Sequence, residues 1–411
     1  MEQKHEILLS ALAHARRAEP LPAMPEVTEH QWQDVFRLAE EHKILPLIFE
    51  AAYQQPGLQA GNLVPRYRGT VMRAVFAQTS KTMEFLELYG RLRQAGVTPL
   101  VVKGIICRQL YPMPDHRPSS DEDVLIPPEQ FPLAHRVLLD FGMQTTEPEE
   151  NFEESYEIPY RKAGSPLYIE LHKHLFPPKS GAYGHLNRFF DGIHDRAVTE
   201  QIQGTQILTM EPTDHLFYLI CHAFKHFLHS GFGIRQVCDI ALYAERYHQQ
   251  IDWDQVLENA RQIRADRFAA AMLRIGENHL QVEMSWLPEC WKEIEVDEEP
   301  MLLDLLDSGI YGGADRSRVH SSTITLTAVE QQSRGKGGGG VLRSLFPSAK
   351  NLEGRYPYLK KYPVLLPLAW VSRIAAYGAE TAKSEHNSAA ESIRIGAERV
   401  ELLKQYCILD E

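Results

Sequence analysis

Apolar residues recur at helical spacing through the first part of the chain, residues 1–95. They occupy positions i, i+3, i+4 and i+7 from Trp32 to Ala39 and again from Phe85 to Leu92, which predicts two amphipathic helices. Gly96 ends the second helix, and the apolar run TPLVVKG (98–104) that follows it predicts a short buried strand. A brief helix around IICRQLYP and a proline-rich loop come next.

The pattern then changes to the alternation that is typical of strands. DEDVLI (121–126) enters an apolar strand, and two further strands are predicted at 156–160 and 167–171, with the turn AGSP between them. Helical spacing returns at residue 213, continues to about residue 285 and reappears in the last sixty residues. These patterns predict an α+β protein in which a small mixed β-sheet core is flanked by N-terminal and C-terminal helical regions.

The same patterns divide the chain into four regions. We expect an N-terminal helical region (1–95), the sheet-containing core (96–210), a helical domain (211–290) and a C-terminal helical extension (291–411). Four consecutive glycines within the extension predict a mobile loop or linker at 335–340.

Composition and charge narrow the classes of function. The 411 residues are 44% hydrophobic and carry a net charge of −12, so broad nucleic-acid binding is not expected, although a local basic pocket for a nucleotide remains open. The five cysteines form no CxxC pair, and neither a disulfide framework nor a cysteine-type zinc site is indicated. The charged start MEQKHEILLS does not resemble a signal peptide, and proline and arginine interrupt the most apolar segment, 362–378. We therefore expect a cytoplasmic protein with no transmembrane segment.

Acidic residues at the start of the predicted strand form the candidate site. Asp121 and Asp123 are two residues apart and would share one face of the strand. Glu170 and His172 share a face of the later strand, opposite the apolar residues, so three carboxylates converge if the two strands are neighbours. Hard oxygen ligands at that spacing suit Mg²⁺. A lone Asp-x-Asp is more often a solvated turn, so the surrounding residues decide between the two interpretations.

The motifs around Asp121 and Asp123 resemble those of the nucleotidyltransferase superfamily with the polymerase-β-like fold. More narrowly, they resemble those of an uncharacterised nucleotidyltransferase family. The resemblance covers residues 30–280 and rests on VVKG (101–104), YP (111–112), Arg117, DEDVL (121–125) and ELH (170–172). It implies that Asp121, Asp123 and Glu170 bind Mg²⁺ or Mn²⁺ and carry catalysis, with Glu170 also available as a base.

The resemblance also implies a nucleotide site. We assign Lys103, Gly104, Arg117 and Ser120 to the binding of an NTP such as ATP, with Gly104 letting the backbone approach the triphosphate. The broad superfamily has a serine after this glycine, whereas this chain has Ile105, which removes one phosphate hydrogen bond. Lys103 could instead be a lysine that extends from the strand end towards solvent, and Arg117 could instead form a salt bridge within its loop.

Four histidines of the segment PTDHLFYLICHAFKHFLHS (212–230) lie on one side of a predicted helix capped by Thr213 and Asp214. They are His215, His222, His226 and His229, and the apolar residues take the opposite side, so we expect the histidines outside the core. His222 and His226 could bind zinc, line an acceptor or nucleotide pocket together with His172, or form a surface stripe. Arg235 could pair with Asp239 four residues later or contact phosphate.

The leading hypothesis is a Mg²⁺-dependent enzyme that transfers a nucleoside monophosphate from NTP to a hydroxyl, amine or phosphate and releases pyrophosphate. Its partners would be the NTP and a small-molecule or protein acceptor, and the acidic composition argues against nucleic acid. One alternative is a catalytically weak nucleotide-binding or protein-interaction module of the same fold. Another is a zinc hydrolase built on the histidines.

Overall fold

The protein is described from a computed structural model that covers residues 1–59, 61–229, 231–308, 325–326, 328–329, 352, 356–370, 372 and 389–410. The glycine-rich segment 335–340 lies outside these residues. The chain divides into two compact units, one of Met1–Ala223 with Gly233–Leu306 and the other of Phe224–Phe232 with Asp307–Glu411. The four-region division drawn from the sequence stays a prediction.

The described residues that precede the sheet form five helices, two of which carry the predicted apolar spacing. They are α1 (Gln3–Ala15), α2 (Glu29–Glu41), α3 (Leu45–Ala52), α4 (Pro56–Gln59) and α5 (Leu63–Gln94). Helix α2 begins with a capping box in which Thr28 and Gln31 satisfy each other's backbone N–H groups. Its apolar stripe, from Trp32 to Ala39, is buried, and so is the stripe from Phe85 to Leu92 on α5.

Within the described residues, seven strands form one mixed sheet, in the order β3-β4-β5-β2-β1-β7-β6. Their bounds are β1 Leu100–Val101, β2 Glu122–Leu125, β3 Met143–Gln144, β4 Glu157–Lys162, β5 Tyr168–His172, β6 Val198–Ile202 and β7 Thr205–Thr209. Helices α6 (Ile105–Arg108) and α7 (Phe131–Asp140) lie between strands. The α+β class and the strands expected from DEDVLI and the two alternating segments are thereby confirmed.

The hairpin β6–β7 was missed by the sequence analysis. Its two strands are antiparallel and joined by Gln203 and Gly204, which have φ values of +46° and +83°. Positive φ at both turn residues matches the twist of a two-residue hairpin. The glycine between two polar-apolar stretches was the available signal, but the exposed side chains of β6 dilute the alternation.

One face of the central strands packs on α5 and α7. Val124 of β2 and Ile169 of β5 join Phe85 and Leu88 of α5 and Leu138 of α7 in a buried apolar cluster. Because side chains alternate along a strand, Asp123 and Glu170 project from the opposite face. The apolar core therefore fixes which side of the sheet carries the acidic residues.

Helices follow the sheet, as expected from residue 213 onward. They are α8 (Pro212–His229), α9 (Ile234–Tyr247), α10 (Trp253–Gln262), α11 (Asp266–Leu280), α12 (Glu289–Lys292), α13 (Glu299–Ser308) and α14 (Ala389–Gln405). Among the residues described, no helix has the length and apolar character needed to cross a membrane.

Gly104 makes the turn from β1 into α6 possible. Its backbone has φ +47° and ψ −111°, which side-chain-bearing residues rarely adopt. A Cβ at this position would lie 1.9 Å from Oε2 of Glu122. That carboxylate is fully buried, accepts the Ile105 N–H at 2.8 Å and pairs with Arg108 at 2.5 Å. The glycine therefore lets a buried carboxylate reach the first turn of α6.

We expect Gly104→Ala to lower the free energy of unfolding by on the order of 2–4 kcal/mol, because backbone strain adds to the displacement of a buried ion pair. Urea unfolding of the purified variant measures this. Gly90→Ala is the matched control, since a Cβ there meets no atom within 4 Å, and it should stabilise α5 by about 0.5–1 kcal/mol. Equal effects of the two substitutions would contradict the role of Gly104.

Candidate functional site

The acidic residues of two neighbouring strands meet at one face of the sheet. Strands β2 and β5 are parallel, and their register pairs Asp123 with Glu170 and Leu125 with His172. Asp123, Glu170 and His172 each have a ligand atom within 4.8 Å of the others. The sequence-based expectation that Asp123 and Glu170 converge is thus met, with His172 as a third member.

A lysine and a histidine surround the Asp123 carboxylate, which is 2% exposed. Lys103 Nζ lies 3.0 Å from Oδ2, and His172 Nε2 lies 3.1 Å from Oδ1. Lys103 Nζ is also 2.8 Å from His222 Nε2. Lys103 therefore faces the site, and the alternative of a lysine that extends to solvent does not describe it.

Burial and charge act in opposite directions on the pKa values of three groups of this site, Asp123, Lys103 and His172. Burial alone would raise the pKa of Asp123, but Lys103 and His172 outweigh burial and hold that pKa well below its usual range. Burial would lower the pKa of Lys103, yet Asp123 and Asp121 raise it. Burial would also lower the pKa of His172, and its hydrogen bond to Asp123 raises it instead.

Glu170 behaves differently from Asp123. Burial, followed by the charges of Asp123, Asp121 and Glu157, raises the pKa of Glu170 to about 7. The site therefore pairs a carboxylate that stays ionised with one that exchanges a proton near neutral pH. Such a difference is typical of sites with acid–base chemistry.

Asp121 and Gly104 line a cleft next to this cluster. The cleft has about 450 Å³ of empty space, open solvent included, and Lys103, Asp123 and His222 also line it. Asp121 directly precedes β2, and in the described part of the chain it is not among the residues within 4.8 Å of one another. Ser120, also predicted for the nucleotide, accepts a hydrogen bond from Lys43 at 2.9 Å.

Arg117 forms a buried ion pair rather than an open anion site. Its Nε lies 3.1 Å from Oδ1 of Asp239, and its Nη2 donates to Oδ2 of the same carboxylate. Tyr111 donates a further hydrogen bond to Asp239 at 2.8 Å. Of the two interpretations of Arg117, the salt bridge fits, although the partner is Asp239 of α9 rather than a residue of its own loop.

Arg235 lines the cleft, and its expected partner Asp239 is paired with Arg117 instead. Arg235 Nη1 donates to the carbonyl oxygen of Pro118, whereas its buried Nε has no hydrogen-bond partner in the part of the chain that the structure describes. Burial, together with Arg117, lowers the pKa of Arg235 to about 10, so the group remains charged at pH 7. The expected Arg235–Asp239 salt bridge does not form, because Asp239 is already paired with Arg117.

The four histidines of α8 do not share one environment. His215 is fully buried, its Nε2 donates to the Val102 carbonyl at 2.6 Å, and burial lowers its pKa to about 4. The expectation that the whole stripe lies outside the core is therefore wrong at His215. His222 lines the cleft, whereas His226 belongs to the second compact unit.

The carboxylate of Glu211, rather than Thr213 or Asp214, caps helix α8 by accepting the backbone N–H groups of those two residues.

Sequence reasoning overlooked Glu122, Arg108 and Lys81. Glu122 stands between Asp121 and Asp123 in the chain, but it points away from Asp123 and pairs with Arg108. Lys81 of α5 is buried and donates to the carbonyl oxygens of Ser119 and Ser120, which precede Asp121. Only the alternation of side chains along the strand signalled that Glu122 must face the core.

We expect Glu170→Gln to stabilise the metal-free protein more at pH 8 than at pH 5. A folded-state pKa of about 7, against an ordinary value of 4.5, means that wild-type protein loses stability as pH rises through this window, by on the order of 1–3 kcal/mol. Unfolding in urea with EDTA at both pH values measures the difference. The exposed Glu129→Gln is the control, and an equal effect of Glu170→Gln at both pH values would refute the expectation.

Comparison with known proteins identifies the family of the chain. No curated protein and no solved structure matches the chain. A family model described as uncharacterised nucleotidyltransferase matches residues 28–281, which is more than half of the chain and includes β1, β2, β5 and the helices from α2 to α11. The match agrees with the resemblance seen in the motifs around Lys103, Asp123 and Glu170. The chain belongs to this uncharacterised nucleotidyltransferase family.

Proposed function

We propose that the protein transfers a nucleoside monophosphate from an NTP to a hydroxyl, amine or phosphate of an acceptor, with release of pyrophosphate and with Mg²⁺ or Mn²⁺ as cofactor. The observation that carries this proposal is the meeting of Asp123 and Glu170 on adjacent parallel strands beside a cleft that cationic side chains also line. Family membership supports the same reaction class.

The donor set fits a divalent cation. Asp123 and Glu170 offer oxygen atoms and His172 a nitrogen atom within 4.8 Å of one another, and Asp121 lines the adjoining cleft. Hard divalent cations bind such carboxylates together with substrate phosphates. A bound cation would neutralise charge on the reacting phosphate and align it with the acceptor.

Cationic side chains on the cleft suit the triphosphate. Lys103 stands beside Asp123, and Arg235 has a buried Nε without a described partner. In our proposal Arg235 binds phosphate oxygens, while Arg117 holds α9 in place through Asp239. We keep Gly104 and Ser120 as proposed contacts of the nucleotide, although the Ile105 N–H already donates a hydrogen bond to Glu122. Gly104 therefore permits the close approach of Glu122 and also lines the cleft.

Glu170 is the proposed base. Its raised pKa suits a group that accepts the proton of the acceptor O–H or N–H as the new bond to the α-phosphorus forms. The bond between the α-phosphorus and the bridging oxygen breaks, and pyrophosphate leaves with that electron pair. His222 would line the acceptor side of the cleft.

A catalytically weak nucleotide-binding or interaction module is the second candidate. Two observations favour it: the N–H of Ile105 is already bonded to Glu122, and the ammonium of Lys103 already pairs with Asp123. The zinc hydrolase has less support, because within the described residues no metal-type cluster includes His222 and His226.

Incubation with each labelled NTP, ATP first, and Mg²⁺ or Mn²⁺ tests the proposal through pyrophosphate release or labelling of an acceptor or of the protein itself. We expect Asp121→Asn/Asp123→Asn to lower the rate at least about a hundredfold, because carboxylates that hold the cation are lost. Asp140→Asn, at an exposed position of α7, is the control. Full activity in the double variant would refute the proposed site, and NTP binding without turnover in wild-type protein would favour the weak module.

Arg235→Gln should raise KM for the NTP by about 10–100-fold with kcat changed much less, since a charge-assisted hydrogen bond to phosphate is present before the reaction as well as during it. Steady-state kinetics of pyrophosphate release separates the two constants. Arg261→Gln removes an exposed arginine of α10 and should change neither. A loss confined to kcat would contradict the assignment of Arg235 to the bound triphosphate.

A further inference from the structure

An imidazole takes part in the cluster where three carboxylates were expected. The ligand atoms that lie within 4.8 Å of one another belong to Asp123, Glu170 and His172. Asp121 is outside this group as far as the described residues go. The cluster therefore offers two oxygen donors and one nitrogen donor.

The imidazole has the orientation of a ligand. Its Nε2 edge faces the carboxylates, 3.1 Å from Asp123 Oδ1 and 3.8 Å from Glu170 Oε2. Its Nδ1 lies on the other side, 3.5 Å from Glu157 Oε2 and 3.4 Å from the carbonyl oxygen of His174. Strand pairing holds this arrangement, because β4 and β5 place Glu157 opposite His172. A histidine with one nitrogen beside a carboxylate and a carbonyl oxygen, and with the other nitrogen facing acidic residues, is typical of metal sites.

The charge balance leaves room for a divalent cation. Three carboxylates, Asp123, Glu157 and Glu170, face His172, and Lys103 contributes one positive charge beside them. With His172 neutral and all three carboxylates ionised, as binding of a cation requires, three negative charges against one positive charge leave two negative charges. Asp123 Oδ2 is also buried and accepts no well-directed hydrogen bond from the described residues, although Lys103 Nζ lies 3.0 Å away.

We infer that His172 is a nitrogen ligand of the catalytic cation, that Glu157 positions its ring, and that the site consequently prefers Mn²⁺ to Mg²⁺. Mg²⁺ favours oxygen donors and keeps its water, whereas imidazole nitrogen binds first-row transition ions more strongly. This inference rests on the proposed function for the identity of the catalytic cation, but its test reads the cation directly.

The wild-type protein, stripped with EDTA and loaded with Mn²⁺ alone, gives the decisive measurement. Pulsed electron paramagnetic resonance should detect coupling of the bound Mn²⁺ to a ¹⁴N nucleus. Isothermal titration should show tighter binding of Mn²⁺ than of Mg²⁺. Bound Mn²⁺ without nitrogen coupling, or equal affinity for the two ions, would overturn the inference, and neither result depends on a variant that must fold.

Variants divide the roles of the two side chains. His172→Gln should abolish the nitrogen coupling and weaken Mn²⁺ binding more than Mg²⁺ binding. Glu157→Gln should keep the coupling and weaken Mn²⁺ binding by about 10–100-fold, as for other groups that orient a ligand. His30→Asn changes an exposed histidine and is the control, with unchanged binding expected. Parallel loss of both ions in His172→Gln, with native circular dichroism, would count against nitrogen ligation.

Failure of this inference and failure of the proposed function give different results. Nitrogen-coupled Mn²⁺ in a protein that releases no pyrophosphate from any NTP would uphold the ligand and refute the transferase. Pyrophosphate release supported equally by Mg²⁺ and Mn²⁺, with no nitrogen coupling, would uphold the transferase and refute the ligand.

Discussion

The buried charge of Asp123 is the constraint on which the site depends. A carboxylate that is 2% exposed is costly unless positive partners accompany it. Lys103, from the turn after β1, and His172, from β5, supply those partners. His222 of α8 contacts Lys103 in turn. One carboxylate therefore ties together the sheet, the turn at Gly104 and the first helix after the sheet.

Two adjacent acidic residues have opposite roles because a strand alternates its side chains. Glu122 faces the apolar side, where Arg108 and the N–H of Ile105 satisfy it. Asp123 faces the cleft. A pair of buried ions thus lies within the core, directly behind the candidate site. Removing either partner would leave an uncompensated buried charge, which is far more costly than losing a surface pair.

Arg117 and Arg235, two arginines that line the cleft, also differ in their partners. Arg117 is held by Asp239 in a buried, two-point ion pair that joins the loop before β2 to α9. Because that carboxylate is taken, Arg235 turns towards the carbonyl of Pro118 and the cleft. Lys43 and Lys81 meet the same loop at Ser119 and Ser120. The segment that leads to Asp121 is consequently surrounded by cations, a setting that suits an anionic substrate.

Local patterns in the sequence were enough for the fold class, for the helices around Trp32 and Phe85, for the strands that carry Asp123 and Glu170, and for the family resemblance. These features depend on periodicity and on short motifs, which neighbouring residues determine. The β6–β7 hairpin was missed because its exposed strand weakens the alternation, and His215 was misjudged because a helical stripe does not say what packs against it. Asp239, the partner of Arg117, the carbonyl of Pro118, the partner of Arg235, and His222, the second partner of Lys103, each lie about 120 residues away in the chain. Only tertiary packing determines which partner each of these side chains meets, since a charged side chain binds whichever charged or polar group the folded chain brings within reach.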